Sequence, residues 1–107
     1  NCTWYVYNRM KQFGKTIYPY MGNANQWVYN YPQTPGASLV DTPQVGDIAT
    51  FNDGVYGSSP IYGHVGFVEA VLEDGSFVMS EMNVQGEYTM GYRIIKPSQG
   101  IHFIRVE

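Results

Sequence analysis

Four residues carry the chemistry this chain could perform: Cys2, the only cysteine among 107 residues, with His64, Glu81 and Asn83. A thiol becomes a nucleophile once ionised, and ionisation is favoured where backbone N–H groups or an imidazolium face the sulfur. An imidazole can take the thiol proton and later return it, provided a neighbouring acceptor fixes its tautomer. The four residue types together are therefore the parts of a nucleophilic acyl-transfer site. Taken singly, each has a plainer explanation: Cys2 as a small buried hydrophobe, Glu81 as a solvated acid at a strand end, Asn83 as a turn former. Their convergence on His64 is what reverses those odds. The second histidine, His102, lies in Ile101-His102-Phe103-Ile104-Arg105-Val106, where alternation turns it outward, and it is given no role.

The elements that must position these groups follow from periodicity. Cys2, Val6, Met10 and Phe13 recur at spacings of four, four and three, which predicts one helix face from Cys2 to about Phe13. Asn1 is a good N-cap and Gly14 a good stop, so Cys2 falls in the first turn, where backbone N–H groups are free. A second short helix is expected around Asn23–Tyr31, capped by Asn23 and ended by Pro32, with Pro32–Ser38 a connection across the surface. After Thr42 the chain changes to short β-rich runs, Asp47–Phe51, His64–Leu72, Ser76–Asn83, Tyr88–Ile95 and Ile101–Val106, read as an antiparallel sheet. The Gly-, Ser- and Tyr-rich loop Asn52–Gly63 is longer than a plain connection needs and is expected to wall a cleft. Helices first and sheet second make an α+β domain.

The hairpin around Asp74-Gly75 tests whether the site can assemble. A two-residue turn pairs Gly66 with Asn83 and Val68 with Glu81, placing His64, Glu81 and Asn83 on one face. A four-residue loop preserves that parity, whereas a three-residue loop sends His64 to the opposite face. A histidine flanked by a carboxylate and an amide on a face otherwise rich in Val, Ala, Leu and Phe would be costly to bury without a purpose.

Composition removes several alternatives. At 107 residues the chain is one domain, and its β-branched and aromatic residues far outnumber Leu and Ala, which argues against a helical bundle. Aromatics at 16% against 14% charged residues exclude disorder. A net charge of −3 with no Lys/Arg cluster makes nucleic acid an improbable partner. No run of about 18 apolar residues is present for a membrane span. One cysteine forms no internal disulfide, and its place one residue from the start suggests a domain cut from a longer protein, with any export signal outside this segment.

The residues also resemble the CHAP domain, the cysteine, histidine-dependent amidohydrolase/peptidase family within the papain-like NlpC/P60 group. The resemblance rests on Cys2-Thr3-Trp4-Tyr5-Val6 with Arg9, Gly22-Asn23-Ala24 with Trp27, Gly46-Asp47-Ile48-Ala49 with Phe51, Gly63-His64-Val65-Gly66-Phe67-Val68-Glu69, Gly75-Ser76-Phe77-Val78 and Ser80-Glu81-Met82-Asn83. It implies a papain-like α+β fold, N-terminal helices on an antiparallel sheet of about five to six strands, spanning residues 1–107 as a single catalytic domain. Cys2 would be the nucleophile, His64 the base, Glu81 the group orienting His64, and Asn83 a fourth polar member. The implied substrate is bacterial peptidoglycan, cut in stem peptide or cross-bridge, or between muramic acid and the first alanine as an amidase would. Members of the family serve as phage endolysins, autolysins and wall-opening modules of conjugation machinery, so the expected place of action is extracellular or at the cell wall.

No cofactor is implied. Some relatives hold calcium through acidic residues around the nucleophile, but Asn1 and Thr3-Trp4-Tyr5 stand there in this chain, so no metal is expected. A monomer is the default, and a catalytically silent wall-binding module is the reading from a different class. The backbone N–H of Cys2 is the natural oxyanion donor. Trp4, Tyr5, Trp27, Tyr56 and Tyr62 could line a glycopeptide groove, though core or rim packing accounts for most aromatics.

Overall fold

A computed structural model describes residues 1–107. Helix α1 spans Cys2–Gln12, as the spacing predicts, with Val6 and Met10 fully buried and Cys2 packed on the same cluster. Asn1 occupies the N-cap position, where its carbonyl accepts the Tyr5 N–H at 2.9 Å, but its side chain makes no capping bond. The helix ends at Phe13, and Lys15 N–H turns back to the Met10 carbonyl at 2.9 Å.

The second expected helix is broken into three short pieces: a 3₁₀ turn Ala24–Gln26, helix α2 at Trp27–Asn30, and a 3₁₀ turn Tyr31–Gln33. Pro32 does not end the segment, because it falls in the first turn of the last piece, where a missing N–H loses no bond.

Six strands form one antiparallel sheet: β1 Ala37–Val40, β2 Ile48–Phe51, β3 His64–Val71, β4 Phe77–Met82, β5 Met90–Ile95 and β6 Ile101–Val106, in the order β1-β6-β2-β3-β4-β5. The α+β expectation is met, with every expected strand present to within two residues. Strand β1 corrects the reading of Pro32–Ser38 as connection alone, since Ala37 already pairs with Val106.

Alternation along the strands builds an apolar cluster on each face. The helix-facing cluster joins Val6, Met10, Ile17, Met21 and Trp27 to Ile48, Val65, Phe67 and Ile104. The opposite cluster holds Phe51, Val68, Phe77, Met79, Ile95 and Phe103. The rings of Phe77 in β4 and Phe103 in β6 are 5.3 Å apart although β2 and β3 lie between their strands. A flat sheet with ~4.8 Å between neighbours would hold them roughly 14 Å apart, so the sheet is strongly curled. Asp47, buried ahead of β2, is clamped to β6 by Arg105 through two bonds of 2.9 Å.

The β3–β4 hairpin settles the parity question by an unforeseen route. Leu72 N–H bonds to the Ser76 carbonyl at 2.8 Å and Gly75 N–H to the Leu72 carbonyl at 3.0 Å, leaving the three-residue turn Glu73-Asp74-Gly75. Gly75 supplies the left-handed backbone that such a turn demands, with φ +88°. This corrects the two-residue register: Val68 faces Met79, not Glu81. Alone, a three-residue turn would separate His64 from Glu81. The pairing, however, runs Val71 to Phe77 and Ala70 to Val78, then slips to Val68 with Met79 and Phe67 with Ser80. Glu69 is the extra residue of a β-bulge. The slip restores the parity and sets His64 and Glu81 on one face, with Asn83 just past the end of β4.

Candidate active site

Cys2 opens α1, and its N–H, in the first turn, has no intrahelical acceptor. His64 opens β3, buried beside the Phe51 ring at 5.7 Å. Its Nε2 stands 2.8 Å from Glu81 Oε1, which leaves Nδ1 as the nitrogen available to Cys2. Gly63, immediately before, has φ +68°, and a Cβ there would stand 2.8 Å from the Phe51 carbonyl oxygen and 2.9 Å from Asn25 Cβ. Glycine at that point is what lets the Asn23-Ala24-Asn25 turn close against the histidine strand.

Glu81 is 1% exposed, and both its oxygens are used. Arg93 in β5 donates from Nε to Oε2 at 2.5 Å and from Nη2 to Oε1 at 2.8 Å. Its remaining nitrogen, Nη1, donates to the Tyr56 carbonyl at 2.9 Å. Sequence reasoning missed Arg93, although a signal existed: if Ile95 points into the core, alternation turns Arg93 inward too, and an inward arginine calls for an acid.

Asn83 stands apart from this line. Its Oδ1 accepts the Tyr88 N–H at 2.6 Å, its backbone is left-handed with φ +81°, and its own N–H bonds to the Thr89 carbonyl. It lines the same cleft as Cys2 and His64 without a hydrogen bond to either.

That cleft, about 560 Å³, runs between the start of α1, the Asn23-Ala24 turn, Gly57–Gly63 of the long loop, and Asn83-Val84. The loop is the expected wall, held by Asn25 N–H on the Tyr62 carbonyl at 2.8 Å and Ser58 Oγ on the Asn52 carbonyl at 2.7 Å. Of the aromatics considered, Tyr62 lines the cleft, Trp27 is core with its indole N–H on the Gly22 carbonyl, and Trp4 is exposed beside an adjoining groove. No three His, Cys, Asp or Glu residues stand close enough together to share a metal ion. No helix is long and apolar enough to cross a membrane.

The electrostatics favour charge separation. Burial pushes the Cys2 thiol up, but the hydrogen bond and positive charge offered by His64, with the Val65 backbone N–H, outweigh it and leave the thiol below its ordinary value. Burial pulls His64 down, and its bonds to Cys2 and Glu81 more than reverse that. Burial would raise Glu81, yet His64 and Arg93 together hold it below the usual carboxylate range. Such a line can carry a thiolate beside an imidazolium, with a carboxylate behind to keep the ring oriented.

An α+β domain with a thiol at a helix start, an imidazole on the adjacent strand and a carboxylate behind it defines a class of papain-like folds. Within that class the chain belongs to the CHAP domain family, whose model matches residues 1–83. It is 46% identical over 94 residues to an N-acetylmuramoyl-L-alanine amidase domain-containing protein of Staphylococcus aureus, covering 88% of this chain and 15% of that protein. It is 41% identical to the probable autolysin SsaALP of the same species, covering 92% of this chain and 35% of the relative. The crystal structure of an N-acetylmuramoyl-L-alanine amidase from Staphylococcus aureus superposes with a TM-score of 0.89 at 40% identity, over 100% of this chain and 30% of that one. The chain thus spans about a third or less of the length of these relatives.

Proposed function

We propose that this domain hydrolyses amide bonds of bacterial peptidoglycan, in the stem peptide or cross-bridge, with Cys2 as nucleophile. The observation that carries the reading is the Cys2, His64, Glu81 line opening onto a cleft within the CHAP fold. The thiolate of Cys2 attacks the amide carbonyl carbon while the Cys2 N–H donates to the developing oxyanion. His64 gives its proton to the leaving amine, then takes one from the water that releases the acyl group from sulfur. Glu81 holds the ring and stabilises the imidazolium. Asn83 shapes the cleft rim beside these groups.

A second reading, cleavage between muramic acid and the first alanine, is favoured by the amidase names of several relatives. The domain would act as a monomeric module of a longer protein, outside the cell or in its wall, in a setting such as autolysis, which accords with the share of its relatives it covers.

Mass spectrometry of peptidoglycan digested by the wild type and by Cys2→Ala tests both readings. New stem or cross-bridge amines from the wild type alone support an endopeptidase, and free lactyl-muramic ends support an amidase. No release by either protein from several wall types sinks the hydrolase reading in favour of a wall-binding role.

A further inference from the structure

Arg93 lies beyond the residues that the family model matches, yet all three of its side-chain nitrogens are committed. We propose that Arg93 is a positioning residue of the Cys2, His64, Glu81 line, and that through the Tyr56 carbonyl it makes the 52–63 loop a support of that line; this rests on the hydrolase reading above.

A carboxylate at 1% exposure with only an imidazole beside it would rotate, or take up a proton. The guanidinium fork fixes the carboxylate plane by engaging both oxygens, so that Oε1 also meets His64 Nε2 at 2.8 Å. A lysine, with one point of charge, cannot reproduce this. The register explains the reach: Glu81 pairs with Gly91 and Met79 with Arg93, so Arg93 is the diagonal neighbour of Glu81 on one face, and Gly91 leaves the directly opposite position without a side chain. The third nitrogen ties in the loop at Tyr56, whose left-handed backbone (φ +52°) and ring contact with Phe51 at 6.2 Å aim its carbonyl at Arg93. The charged and titratable groups facing Glu81 are His64 from β3 and Arg93 from β5, while α1 brings Cys2 to the far side of His64.

The test is the titration of His64, read from its ring-proton NMR signal and told apart from that of His102 by His102→Gln, in the wild type, Arg93→Gln and Arg93→Lys. If Arg93 only lends a nearby positive charge, its removal raises the His64 midpoint and Arg93→Lys leaves it in place. If Arg93 keeps Glu81 ionised and aligned, both variants move the midpoint down towards the ordinary value of ~6.5. Turnover of peptidoglycan should then fall roughly tenfold or more with KM nearly unchanged, the size of effect that loss of an outer-shell partner has at metal sites. A midpoint that rises or stays in both variants overturns the proposal. Should Arg93→Gln not fold, as judged by amide dispersion, Arg93→Lys alone decides. Because the titration needs no substrate, a wild type that releases nothing from peptidoglycan defeats the hydrolase reading while the positioning role is still decided by the midpoint.

Discussion

On the helix-facing side of β3 and β4, Arg9 holds Glu69 through Nε at 2.9 Å and Nη2 at 3.0 Å, and Ser80 Oγ closes on Glu69 Oε2 at 2.6 Å. On the other side Arg93 holds Glu81 through the same two nitrogens, and the third partner is His64. The forks are alike and their consequences differ because of burial and the third partner. Glu69 is 22% exposed, and its bond to Arg9 is the strongest influence on it, lowering its pKa. For Glu81 burial is the strongest influence, opposing ionisation, and His64 and Arg93 must act together to overcome it. Loss of a partner at Glu69 can be made good by water, while the same loss at Glu81 leaves a buried carboxylate short of donors. One fork fastens α1 to the sheet; the other holds a buried carboxylate against the His64 ring.

The contrast can be broken most severely at the head of β3. Inserting one alanine between His64 and Val65 leaves the ladder from Val65 onward in place, puts alanine where His64 stood and carries the imidazole off the face of Glu81, and turnover of peptidoglycan should fall by ~10³ or more, the scale of losing a triad member's action. Glu69→Gln leaves that register intact and should stay within a few-fold of wild-type turnover, so an equal loss in both variants would mean that the Glu69 fork matters to turnover as much as the place of His64.

Next in size, Glu81→Gln should lower kcat by ~10²–10⁴ with the fold retained in circular dichroism, since an amide cannot support the imidazolium as a carboxylate does.

Stability against pH separates the forks further. Glu69 and Glu81 are both held below the carboxylate value of 4.5, so their contribution is present above that pH and disappears as pH falls through their folded values. His64 is held above 6.5, so its contribution is full below that pH and disappears as pH rises through its folded value. Urea midpoints measured across pH should therefore show an acid limb weakened in Glu69→Gln, and both limbs weakened in Glu81→Gln. The smallest effect is expected of Ser80→Ala, a loss of about 1 kcal/mol in urea unfolding with turnover unchanged, because one bond to a partly hydrated carboxylate is removed.

Much of this arrangement was legible in the residues. The spacing of Cys2, Val6 and Met10 placed the thiol at a helix start, and the β-rich runs placed His64 at the head of one strand and Glu81 near the end of the next. Strand β1 escaped because Ala37-Ser38-Leu39-Val40 sits at the sheet edge behind Pro35-Gly36, and its order comes from pairing with β6, a contact 63 to 69 positions away. The turn length stayed open because Asp74-Gly75 suits a two-residue loop as well as the last two positions of a three-residue one. The bulge has no local signature: Glu69 is turned to the helix face by Arg9, from an element far away in sequence. Asn83 lines the same cleft as His64, but it stands past the end of β4 and its amide oxygen is taken by Tyr88 N–H, a competition set by the β4–β5 loop.

The bulge and the three-residue turn are two offsets of one position in the same direction, which together move the pairing by two and so keep its parity. In evolutionary terms, both positions are spare: with Leu72 still bonded to Ser76 and Val68 still opposite Met79, a descendant that loses Glu73 or Glu69 keeps the remaining pairs, and with them the face that His64 shares with Glu81. A one-residue change inside the paired stretch does the opposite: it parts His64 from Glu81 while leaving both side chains in the sequence.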